Sequence, residues 1–215
     1  MRGCWLKRER RDTCLLLVAG WGMGPEPFAG PGGPDRDLYL LFDHQDLTLP
    51  ELEHLWEYDE VELLAWSMGV WVAATTLAPF AKRFASTTAL AGTLQPIDDR
   101  LGIPVAAWME MEEQLDETML KRFYASMFTE EKELRRFLAH RPERTLASLI
   151  NELKSLRRQV FATPVPVDLF TSRIVTSRDR IFPPRNQVRA WGKDRCQRQP
   201  WPHFPFYSVD MMGCL

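Results

Sequence analysis

The stretch Ala65-Trp66-Ser67-Met68-Gly69 lies where an apolar run, Val61–Ala65, passes straight into an alanine-rich segment. A serine hydroxyl becomes a usable nucleophile when a tight strand-to-helix turn lifts it clear of the backbone. Such a turn needs small residues two before and two after the serine, because strand and helix crowd those positions. Ala65 and Gly69 meet the requirement, with alanine where glycine is usual. The five-residue pattern recurs by chance in other chains; its place between strand-like and helix-like sequence is what makes it informative.

A serine nucleophile needs a general base, and the base needs a carboxylate to orient it. In hydrolases built on this turn the acid follows the serine and the histidine comes last. His44 and His54 precede Ser67, and His140 falls in an arginine-rich helical stretch, which leaves His203 in Trp201-Pro202-His203-Phe204-Pro205. Asp179, in the loop directly after the apolar Ile174–Thr176, is the candidate acid. Asp168 lies ahead of that run, and Asp194 lies deeper in the segment beyond it. The competing readings are a loop histidine held between prolines and a turn aspartate paired with Arg178 and Arg180. Three requirements met in the right order favour the chemistry. Two N–H donors must also meet the oxyanion: the amide of Met68, and that of Trp21 in Ala19-Gly20-Trp21-Gly22, a glycine-flanked turn after Cys14–Ala19.

These residues need elements to hold them. Short apolar runs at Cys14–Ala19, Leu38–Phe42, Val61–Ala65 and Thr87–Ala91 have strand length, and their unbroken apolarity suits parallel strands covered on both faces. Helical sequence lies between some of them, short at Pro50–Trp56 and longer at Val70–Phe84, so the fold class is α/β. Phe28–Pro34 reads as a turn-rich loop. From Pro104 the pattern changes to charged amphipathic segments, Met109–Phe128, Thr129–His140 and Arg144–Phe161, which predict three helices. Strand-like sequence returns at Leu169–Thr176. A helical block inside an α/β sheet is the layout of a lid: residues 104–165 inserted in a core made of 1–103 and 166–215.

Composition narrows the function classes. The 215 residues carry a net charge of −2, which argues against nucleic acid binding by the whole surface. Cys4, Cys14, Cys196 and Cys214 show no metal-ligand spacing and read as reduced thiols. No run approaches the roughly 20 apolar residues of a membrane span, and the apolar stretch after the basic N-terminus is too short for a signal peptide. The expected location is the cytoplasm.

AGWGM after the first apolar run, LLAWSMGVWVA, VTSRDRIFPPRNQ and the terminal HFPF together resemble the BioG-type pimeloyl-[acyl-carrier protein] methyl ester esterases of biotin synthesis, which are compact α/β-hydrolases. The resemblance runs over nearly the whole chain and implies a triad of Ser67, Asp179 and His203, with Trp21 and Met68 at the oxyanion and substrate site. Similarity to the related BioH-type esterases implies that the Phe123–Met127 segment, with Phe123 and Met127 at its ends, lines the acyl pocket. The implied reaction is methyl ester hydrolysis on an acyl carrier protein, with no metal or organic cofactor. Between Lys121 and Arg158 ten cations face five acids, an excess that fits docking of an acidic carrier through Lys121, Arg122, Arg135 and Arg136. Trp66, like Trp21, flanks the serine and could wall an acyl tunnel, whereas Trp108 reads as packing. A carboxylesterase or thioesterase with another acyl group, and a hydrolase-fold binding protein without turnover, are the alternatives.

Overall fold

The computed structural model describes residues 1–28 and 35–207. All of the expected Phe28–Pro34 loop but Phe28 therefore lies outside the described residues, as does Cys214. The strands are β1 (Arg2–Lys7), β2 (Thr13–Val18), β3 (Asp37–Phe42), β4 (Glu60–Trp66), β5 (Ser86–Leu90), β6 (Ser172–Thr176) and β7 (Gln197–Gln199). They form one sheet in the order β1-β3-β2-β4-β5-β6-β7. Only β1 runs antiparallel to its neighbour; every other pairing is parallel. The apolar runs became β2 to β6 because both faces of the central strands are covered: Leu15, Leu16 and Leu17 are all buried, as are Leu63, Leu64 and Ala65.

The two edge strands were not expected. In β7 the residues Gln197, Arg198 and Gln199 pair with β6 through backbone alone, and they carry no apolar signal. In β1 the bulge between Trp5 and Lys7 breaks the alternation that would mark a strand.

Helix α1 (Met68–Thr76) ends sooner than the Val70–Phe84 run suggested, giving way to a 3-10 turn at Ala78–Arg83 that holds Pro79 in its first positions. The segment Pro50–Trp56 overlaps a 3-10 turn, Glu53–Glu57. Four helices, not three, separate β5 from β6: α2 (Val105–Gln114), α3 (Glu117–Ser126), α4 (Glu131–Ala139) and α5 (Leu146–Ala162). What the periodicity joined as Met109–Phe128 is divided at Asp116, whose side chain accepts the Met119 N–H at 2.7 Å and starts a new helix. Thr145 caps α5 in the same way through the Ser148 N–H. A sixth helix, α6 (Pro184–Trp191), follows β6 and begins with proline, which is suited to a first turn. Among the described residues no helix is long and apolar enough to cross a membrane.

Candidate active site

Ser67 sits between the end of β4 and the start of α1 with φ 59° and ψ −128°. For a residue with a Cβ this left-handed geometry is strained by about 1–3 kcal/mol, and it persists only when the surroundings enforce it. Here they do. The Ser67 N–H donates to the Leu90 carbonyl on β5 at 2.9 Å. A Cβ on Gly69 would lie 2.2 Å from the Val18 carbonyl oxygen, so only glycine lets α1 pass the end of β2. A Cβ on Gly20 would come within 2.8 Å of the Ser67 Cβ, so the turn after β2 also packs directly on the serine.

His203 Nε2 lies 3.0 Å from Ser67 Oγ, and His203 Nδ1 lies 2.8 Å from Asp179 Oδ2. With Nδ1–H donating to the carboxylate, Nε2 is left to accept from the hydroxyl. All three residues are buried. Five donors converge on Asp179: Thr176 Oγ1, Gln187 Nε2 and His203 Nδ1 on one oxygen, and the N–H groups of Ile181 and Phe182 on the other. The histidine loop is held as well. The Trp66 indole donates to the His203 carbonyl at 2.7 Å, and the Phe204 N–H donates to the Met127 carbonyl at 3.1 Å.

Ser67 and His203 open onto a cavity of about 340 Å³ whose walls include Trp21, Met68, Trp108, Met111, Phe123 and Leu153. Trp21 and Phe123 meet edge to face, with ring centroids 4.9 Å apart. The backbone N–H groups of Trp21 and Met68 have no backbone acceptor among the described residues. Trp66 lines the same cavity, as expected. Met127 does not line it. Its side chain is fully buried at the end of α3, and it reaches the site only through the carbonyl that holds Phe204. Trp108, read from sequence as packing, is a wall of the cavity.

Of the carrier-docking candidates, Lys121 and Arg122 are exposed on α3, and Arg122 also borders the cavity. On α4, Arg135 pairs with Glu131 at 3.1 Å, and Arg136 lies over the Tyr207 ring. Two of the charges between Lys121 and Arg158 are withdrawn from solvent: Glu152 is fully buried, and the Arg144 side chain, nearly covered, bonds to it at 3.0 Å. Removing one cation and one acid leaves the cationic excess unchanged. One further residue escaped sequence reasoning, Gln187, whose amide joins Asp179 to the Phe182 carbonyl; Trp66, expected at the site, also holds the histidine loop through its indole. Gln187 could have been suspected only from its place in the RNQ of the family phrase.

Comparison with known proteins agrees with this architecture. The chain is 34% identical over 196 residues, 90% of its length, to a malonyl-[acyl-carrier protein] O-methyltransferase of Bacteroides fragilis (strain 638R), but it spans only 40% of that protein. The crystal structure of BioG from Haemophilus influenzae superposes with a TM-score of 0.85 at 32% identity, covering 97% of this chain and 96% of that one. A lipase-esterase related protein from Clostridium acetobutylicum shares the fold, with a TM-score of 0.60 at 14% identity over 99% of this chain and 95% of its own. The family model described as pimeloyl-ACP methyl esterase BioG matches residues 4–202. That match spans most of the sequence, and the chain belongs to the BioG family.

Proposed function

We propose that this protein is a serine esterase that removes the methyl group from pimeloyl-[acyl-carrier protein] methyl ester, releasing methanol and the free pimeloyl acid still joined to its carrier. The observation that carries this reading is the imidazole of His203 bridging Ser67 Oγ and Asp179 Oδ2 at the wall of an apolar cavity. The family description supplies the substrate class.

Ser67 Oγ attacks the ester carbonyl carbon while His203 Nε2 takes its proton, and Asp179 stabilises the resulting imidazolium. The negative oxygen of the tetrahedral intermediate accepts from the N–H groups of Trp21 and Met68. Collapse breaks the bond to the methoxy oxygen, which leaves as methanol with the proton from His203. Water then attacks the acyl-serine, His203 takes one of its protons, and the second collapse returns that proton to Ser67. The acyl chain lies along Trp21, Trp66, Met68 and Phe123. Residues 104–165 act as the lid on a core of 1–103 and 166–215, and Lys121, Arg122, Arg135 and Arg136 receive the acidic carrier.

The test is methanol release from the methylated pimeloyl carrier substrate. Wild type is expected to release it, and Ser67→Ala to be slower by more than about 10⁴-fold. Release by Ser67→Ala at the wild-type rate would overturn the reading. Cleavage by wild type at the thioester instead of the methyl ester would make it a thioesterase.

A further inference from the structure

The turn after β2, residues 19–23, is held at four points by groups that take no part in the chemistry above. His44 Nε2 donates to the Ala19 carbonyl at 2.8 Å, and Arg144 Nη1 donates to the Met23 carbonyl at 3.2 Å. The Trp21 indole donates to the Leu149 carbonyl at 3.0 Å, and the Gly22 N–H donates to Glu152 Oε2 at 3.2 Å. Leu149 and Glu152 are both on α5, so one helix grips the turn at the Trp21 side chain and at the amide that follows it.

Glu152 is the hub of this arrangement. It is fully buried, and each of its oxygens is engaged: Oε1 accepts the His44 N–H at 2.8 Å, while Oε2 accepts Gly22 N–H and Arg144 Nη1. Arg144 continues to Asp43 Oδ1 and Ser148 Oγ, both at 2.8 Å. A buried ion pair contributes little net stability over an apolar pair of the same shape, so packing alone does not explain this one. What it does do is aim fixed donors. The carboxylate pulls the Gly22 amide toward α5, which leaves the preceding amide, Trp21, free to point elsewhere.

We propose that Glu152 is a positioning residue that holds residues 19–23 so that the Trp21 N–H meets the developing oxyanion without rearrangement. This rests on reading Ser67 as the nucleophile. Donors fixed in advance act on the transition state rather than on the bound ester, so losing them lowers kcat and leaves KM nearly unchanged.

The experiment is steady-state hydrolysis of a small methyl ester by wild type, Glu152→Gln, Arg144→Lys and Leu55→Ala, with rates normalised to folded protein by near-UV circular dichroism. In Glu152→Gln the new NH2 must face at least one of the three donors. Its kcat is expected to fall about 10- to 100-fold with KM within about twofold. Arg144→Lys keeps the charge but not the fan of bonds, and should lose at least about threefold in kcat. Leu55→Ala, which opens the core at the 53–57 turn away from the site, measures what lost stability alone does. Should Glu152→Gln fail to fold, Arg144→Lys decides. Unchanged kcat in the variants, or losses matched by Leu55→Ala, would overturn the positioning role while an active wild type keeps the esterase reading. A wild type inert toward esters would end both.

Discussion

Asp179 accepts five hydrogen bonds on two oxygens, a load that only a carboxylate can carry without setting donor against donor. Asp179→Asn puts an NH2 among those donors, and where it faces His203 Nδ1 it reverses the tautomer, so Nε2 can no longer accept from Ser67. The expected result is a fall of about 10³–10⁴ in kcat with an unchanged circular dichroism spectrum. A loss below tenfold would mean that the carboxylate does not orient the ring. Ser67, Asp179 and His203 were legible because each carries a local flank and a required order in the chain. Gln187 was not. An amide that braces a carboxylate has no sequence pattern of its own, and its role appears only when α6 folds back beside the loop that follows β6.

The four-helix segment between β5 and β6 shows two separate features. Its α3 end reaches the histidine loop through the Met127 carbonyl, and Phe204 packs against Phe137 and Phe128 at centroid distances of 5.4 Å. Its outer surface keeps the cationic excess. Lys121→Glu with Arg135→Glu is expected to lower kcat/KM on the carrier-borne substrate about tenfold at low salt, and to change p-nitrophenyl acetate hydrolysis by less than about twofold. Equal losses on both substrates would remove the docking role. The helix count erred at Asp116 because periodicity continues through a short turn, whereas the N-cap that starts α3 depends on one side chain bending back to one amide. The edge strands were missed for a related reason: they add backbone pairing to the sheet but little buried apolar surface.

At the scale of the whole molecule, two groups behind the turn at 19–23 add to the pH dependence of stability. Full burial drives His44 down to about 4. Burial lifts Glu152 to about 7, against the opposing pull of Arg144 and the amides of His44 and Gly22. Between the ordinary histidine value near 6.5 and 4, the unfolded chain binds a proton at His44 that the folded chain refuses, so this residue's contribution is lost as pH falls. Glu152 has the opposite sign: its contribution is complete below the ordinary glutamate value and is lost as pH rises toward 7. His44→Gln keeps a donor near the Ala19 carbonyl and removes the titration. Its stability relative to wild type should improve by about 2–3 kcal/mol between pH 6.5 and 4.5, read from urea midpoints. A difference that does not vary with pH would show that His44 is not held neutral by burial.

The sequence by itself determined the α/β class, the serine turn and the order of serine, acid and histidine, because those features rest on local spacing and on apolar runs that must be buried whatever their neighbours. Tertiary structure alone decided that His44, Arg144 and Glu152 form one buried cluster. These three residues come from a loop after β3 and from the helical segment between β5 and β6, as much as 108 positions apart. Nothing in either segment announces the other, since a buried charge is tolerable only once its partners have been brought around it, and that is a property of the folded chain.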